Sequence, residues 1–155
     1  MKDDEFFNRI EPMRNKLYRI AYSYFNSQSM AIDMVDEAIY KGYLKKKQLK
    51  QKEFMETWLV RILLNVCNNH YKKYSRIQTI EELPETAVTE DYDSIPLKLA
   101  MQQLPEKYRK LVILKYFGGY GVAEIAEMLE MPQGTVATRL RKALELLRLD
   151  LKSIE

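Results

Sequence analysis

Between Glu11 and Phe25 the apolar positions fall at Met13, Leu17, Ile20, Ala21, Tyr24 and Phe25. Spacings of three and four predict an amphipathic helix there. The stretch 26–29, NSQS, supplies a turn and an N-cap at Ser27 or Ser29, since a hydroxyl oxygen accepts from an otherwise unpaired N–H of a first turn. A second helix follows with Ala31, Met34, Val35, Ala38 and Ile39 inward, and a lysine-rich interruption ends near Lys52. A third, strongly apolar helix is predicted from Phe54 to Tyr74. These three helices, with Trp58 among them, close one small core of roughly 70 residues.

The pattern breaks over 77–94, which carries Pro84, several acids and small polar residues and reads as an irregular linker. A second lobe starts at Ile95–Pro96, where Leu97, Ala100, Met101 and Leu104 form a short helix. Pro105 suits the first position of the next helix, where its missing N–H would be unpaired anyway. That helix runs to the three glycines of YFGGYG. Two more helices follow, with Ile125, Ala126 and Leu129 as the buried edge of the first and a short EMP turn between them. The second begins near Gln133 and puts Val136, Leu140, Ala143 and Leu147 on one face. The fold class is therefore all-α: an N-terminal helical bundle (1–76), an acidic linker (77–94) and a C-terminal lobe (95–155) ending in a helix-turn-helix pair.

Charge changes this picture more than composition does. The chain is 46% hydrophobic and 30% charged, ordinary for a folded soluble protein, and its net charge is only +3. The charges are segregated: residues 41–76 hold ten Lys/Arg against Glu53 and Glu56, a net of +8, while 80–94 hold six acids and no base. The opening MKDDEFFNRIEP is acidic, without the apolar core of a signal peptide, and no apolar run approaches the ~18 residues of a membrane span. A cytoplasmic location is expected. One cysteine, Cys67, excludes an internal disulfide, and with one histidine, His70, no zinc ligand set exists. No phosphate loop, nucleophile–base set or nucleotide turn is present, so neither enzymatic activity nor a cofactor is expected.

Opposite its apolar face the last helix collects Thr135, Thr138, Arg141, Lys142 and Glu145, with Arg139 on the flank. A helix fixed by one face while presenting Thr, Arg and Lys on the other suits insertion into a major groove. A helical hairpin with a solvated basic face has the same pattern. In the first lobe, Asp33 and Glu37 share a face that Asp36 borders, which is either a solvated acidic face or a dock for a basic partner.

Residues 104–148, and GTVATRLRKA in particular, resemble the promoter-reading domain of bacterial sigma factors of the extracytoplasmic-function group, whose usual motif is Gly-Thr-Val-x-Ser-Arg-Leu-x-Arg-Ala. AIDMVDEAIYKGY (31–43) resembles that family's Asp-Ala-Glu-Asp-Leu-Val-Gln-Glu helix, and METWLVRILLNVCNNHYKKYSR (55–76) its Phe-x-Thr-Trp-Leu-x-x-Ile-x-x-Asn segment with the Asp-Tyr-Leu-Arg-Arg after it. The resemblance implies a subunit that brings core RNA polymerase to promoters. Thr135, Thr138, Arg141 and Lys142 would face the −35 element, with Arg139 on phosphate. Asn65, Asn69, Lys72 and Lys73 would hold the melted −10 strand. Asp33, Asp36 and Glu37 would dock on the β′ clamp helices of core RNA polymerase, with the β flap as a further contact. It also implies an anti-sigma factor, often membrane-anchored, as a partner. Departures from the family pattern are Met30 for Asp, Ala137 for a basic residue, a Lys45–Lys52 loop richer in lysine, and Glu130 for the turn glycine. A conventional helix-turn-helix regulator on a palindromic operator is the principal alternative.

Overall fold

The computed structural model describes residues 1–78 and 95–154, with side chains at 1–73, 97 and 99–148, and all regular structure among them is helical. The α-helices are α1 (Asp3–Ile10), α2 (Arg14–Phe25), α3 (Gln28–Leu44), α4 (Met55–Gln78), α5 (Ile95–Gln103), α6 (Glu106–Val112), α7 (Val122–Leu129) and α8 (Gln133–Ile154).

α1 is an addition to the helices expected from the sequence. Its first turn holds Asp3, Asp4 and Glu5, favourable at the positive end of the helix dipole, and Arg9 returns to Glu5 at 3.2 Å. Only two of its residues are buried, Phe6 and Ile10, four apart on one face. A short 3-10 turn containing Pro12 leads into α2, which ends at Asn26 in the left-handed conformation (φ 52°) that asparagine tolerates. Ser27, rather than Ser29, caps α3: its Oγ accepts the Met30 N–H at 3.3 Å. α2, α3 and α4 pack together with α1 across one end, burying Phe6, Ile10, Leu17, Ile20, Leu59 and Leu63. Each such side chain contributes about 1.5–3 kcal/mol of transfer free energy. α4 continues to Gln78, beyond the expected end at Tyr74 and through the first two residues of the expected linker. The acidic remainder of that linker lies outside the described residues.

In the second lobe Pro105 is the N-cap of α6 rather than its first helical residue, with extended ψ 147°. Arg109 turns back and donates to the carbonyls of Met101 (3.1 Å), Gln102 (3.4 Å) and Leu104 (2.6 Å), closing the end of α5, where helix carbonyls otherwise lack partners. After Val112 the helix widens into a π-type stretch, Ile113–Phe117, and it stops at the glycines as expected, the Gly118 N–H reaching Ile113 O at 2.9 Å. A Cβ at Gly118 would lie 2.8 Å from Leu114 O, and Gly119 takes φ +77°. This break swings Tyr120 inward, where it is 2% exposed. α7 and α8 then form the helix-turn-helix, with Ile125, Ala126 and Met128 buried on α7. Leu129, expected on that edge, is only half-buried.

Candidate nucleic-acid interface

α8 carries its buried row as expected: Val136, Leu140, Ala143 and Leu147 lie in the core of the second lobe. Thr138, Arg141 and Lys142 consequently stand exposed, and Thr135 and Arg139 are half-exposed. Among the described residues the ion pair on this face is Lys142 with Glu145 at 4.0 Å, along the helix itself. Thr, Arg and Lys thus project from a rigid rod into solvent, which is what reading base edges and phosphates demands. The turn that sets α8 against α7 has Glu130 at φ 55°, its N–H on Glu127 O at 3.3 Å, while the Met131 N–H bonds Ala126 O at 2.9 Å. This is the left-handed cap that glycine makes with least strain.

On α4 the structure brings Asn65, Asn69, Lys72 and Lys73 to the exposed side. Asn68 is buried, and its Oδ1 has no hydrogen-bond partner among the described residues. Arg61 shares the exposed face, a residue that the sequence reading passed over. Its signal was present: Arg61, Asn65, Asn69 and Lys72 recur at helical spacing. Between α4 and the loop before it lies a groove of about 470 Å³, lined by Gln48, Leu49, Phe54, Thr57, Trp58 and Arg61 among others. Trp58 is half-buried, packed on the core while one side lines the groove. Such a groove combines an apolar wall, amide groups and cations, the materials for holding an unstacked base.

The lysine-rich loop is less uniformly available than its composition implies. Lys46 pairs with Asp3 and lies 4.5 Å from the Tyr43 ring centroid, and Lys52 reaches Glu5 at 2.9 Å. These lysines hold the carboxyls of Asp3 and Glu5 below the usual carboxylate range. Two of the loop's cations therefore fasten it to α1. Lys45, Lys47 and Lys50 are left exposed for other work.

On α3, Asp33 and Asp36 are exposed, beside the outward Ile32 and Tyr40. Glu37 is engaged within the lobe, with Lys41 at 3.2 Å and His70 Nε2 at 3.1 Å. Partial burial pushes the Glu37 carboxyl upward, but hydrogen bonds from Lys41 and His70 outweigh this and hold it low. His70 is thereby accounted for as a partner of Glu37. Cys67 is fully buried and its thiol is pushed up by desolvation, an unreactive core group.

An all-helical protein with one lobe presenting a helix-turn-helix, and another presenting a cationic groove beside an acidic face, belongs to the class of nucleic-acid-binding proteins. Residues 10–77 match Sigma-70 region 2 and residues 94–147 match Sigma-70, region 4. The chain is 30% identical over 142 residues to the RNA polymerase sigma factor SigV of Bacillus subtilis, covering 89% of this chain and 86% of that one. To the ECF RNA polymerase sigma factor SigW of the same organism it is 28% identical, covering 97% and 91%. The solved sigma factor RpoE of Bartonella quintana, in complex with the anti-sigma factor NepR, shares the fold at a TM-score of 0.69 and 22% identity, over 96% of this chain and 97% of that one. The chain belongs to the extracytoplasmic-function group of the sigma-70 family, the transcription-initiation subunits of RNA polymerase. Among the described residues no helix is long and apolar enough to cross a membrane.

Proposed function

We propose a division of labour among three surfaces. α8 enters the major groove at the −35 element through Thr135, Thr138, Arg141 and Lys142, with Arg139 on phosphate. The loop before α4 and the exposed side of α4, through Arg61, Asn65, Asn69, Lys72 and Lys73, capture the unwound −10 strand. Asp33 and Asp36, with Ile32 and Tyr40 between and beside them, dock on the basic β′ clamp helices of core polymerase, while the second lobe meets the β flap. Glu37 supports that face through Lys41 and His70 rather than forming part of it. The chain binds and positions; the polymerase performs the chemistry, in the cytoplasm.

The observation that carries this reading is α8: a buried Val136–Leu140–Ala143–Leu147 row behind exposed Thr138, Arg141 and Lys142. The match of residues 10–77 to region 2 gives the first lobe a task that a stand-alone palindrome-binding regulator lacks. Kinship with a sigma factor solved with an anti-sigma factor supports control of this chain by such a partner, soluble or membrane-anchored. The test is run-off transcription on fragmented bacterial genomic DNA with core polymerase, with and without the chain. The expected result is a set of discrete, chain-dependent start sites sharing upstream sequence. Starts no different from those of core polymerase alone contradict the reading.

A further inference from the structure

We propose that the cavity between α2, α5, α6 and Tyr71 of α4 is a binding site for a small aromatic carboxylate, held by the Tyr24 hydroxyl and the Arg19 and Arg109 guanidiniums. The cavity has a volume of about 290 Å³. An apolar cavity of about 150 Å³ holds a benzene ring, so this one has space for a ring and a polar substituent, about ten heavy atoms in all. Its walls come from helices of both lobes, so an occupant touches both at once. The site uses none of the residues assigned above to promoter or polymerase, and it stands or falls apart from that reading.

Three features of the cavity select the occupant. Tyr71, Met101 and Phe117 supply apolar wall, and the Tyr24 ring meets the Tyr71 ring edge-on with centroids 5.8 Å apart. Walls of this kind favour a planar ring. Tyr24 also lines the cavity, is 4% exposed, and its hydroxyl has no hydrogen-bond partner among the described residues. A buried hydroxyl left so is costly and uncommon, and an acceptor on the occupant removes that cost. Desolvation pushes the phenol up, so Tyr24 stays a neutral donor. The charge of Arg109 acts on the same phenol in the opposite sense, which puts donor and cation in one neighbourhood.

The third feature is charge. Among the described residues that line the cavity, the charged ones are Arg19 and Arg109, with no acid beside them. Both guanidiniums are fixed in advance. Arg109 donates to the carbonyls that end α5 and lies 4.4 Å over the Tyr71 ring, and Arg19 donates to Phe117 O at 3.2 Å. These partners are neutral, so the positive charge is still available to an anion. Groups placed before binding lose little freedom when the occupant arrives. A carboxylate on a ring meets all three features: the ring lies against the aromatic walls, and the acid accepts from Tyr24 and answers the arginines.

The test is methyl NMR of the free full-length chain, labelled at its methionine methyls, titrated with phenylacetate and read at Met101. Saturable shifts with a Kd on the order of 0.1–1 mM are expected, ordinary for a ligand of about ten heavy atoms. Tyr24→Phe keeps the ring and removes a hydroxyl that lacks a protein partner. It should weaken phenylacetate about tenfold without lowering Tm. Arg19→Gln should weaken it about three- to tenfold, whereas Arg9→Gln, on the exposed side of α1, should change it less than about twofold. Benzyl alcohol, which has the ring without the charge, and acetate, which has the charge without the ring, should each bind at least about tenfold more weakly. No saturable shift at Met101 up to about 10 mM phenylacetate overturns the site. So does binding that neither Tyr24→Phe nor Arg19→Gln weakens. Benzyl alcohol or acetate binding as tightly as phenylacetate overturns the assignment of an aromatic carboxylate.

Discussion

α4 and α8 are built alike and placed differently. Both are long helices with one side sunk in a core and the other bearing amides, hydroxyls and cations suited to DNA. α8 closes its own small lobe and turns Thr138, Arg141 and Lys142 to open solvent, whereas α4 is the central strut of the first lobe and meets the second lobe along its polar side. On the proposed reading the duplex-reading surface is open to solvent, while Arg61 and Lys72 of the strand-holding helix pair with Glu130 and Glu106 of the second lobe, and Glu127 stands at the wall of its groove. Helix chemistry alone thus does not determine readiness to bind; what is packed against the helix decides it.

The comparison can be broken first at the core. Leu63→Ala deletes a fully buried α4 side chain and should cost about 2–5 kcal/mol in chemical denaturation. Leu144→Ala, at an exposed position of α8, should change stability by no more than about 0.5 kcal/mol. Equal costs would mean that α4 is not the strut. Next in size is base reading: Arg141→Ala with Lys142→Ala should weaken binding to a −35 duplex by about ten- to a hundredfold, the range of lost groove contacts, while leaving affinity for core polymerase unchanged. A smaller effect, about tenfold, is expected on core polymerase affinity when Asp33 and Asp36 are both exchanged for Lys, because a complementary field is reversed. Pull-down against immobilised core polymerase measures it, and intact circular dichroism shows that the fold is kept. Glu37 is unsuited to that experiment because its substitution also breaks the pairs with Lys41 and His70. Smallest is Glu130→Gly, which relieves a left-handed non-glycine and should add about 1 kcal/mol to stability, read as a rise of a few degrees in Tm.

Much of this contrast was legible in the sequence. The apolar spacing of α2, α3, α4 and α8 is regular, so the inward sets on α2, α3 and α8 were readable with their polar opposites, as were the two lobes. α1 was not, because eight residues with only Phe6 and Ile10 inward look like a charged chain start until the core they cover is known. Glu130 was visible as a departure from a glycine, but Arg61 lies 69 residues away and no local pattern couples them. The loop lysines read as free cations for the same reason: Lys46 and Lys52 are 43 and 47 residues from the acids that hold them. Periodicity reports which side of a helix is buried, and it is silent on which other element lies against the polar side.

The central claim is that two helices on two lobes read one promoter, duplex by α8 and melted strand by α4. Permanganate reactivity of thymines in a promoter recovered by run-off transcription, with core polymerase and the chain present, tests it most directly. The account predicts reactive thymines around −10 with the unaltered chain and their loss with Lys72→Ala and Lys73→Ala, while protection at −35 persists. Reactive −10 thymines that persist undiminished in the double substitution would contradict it.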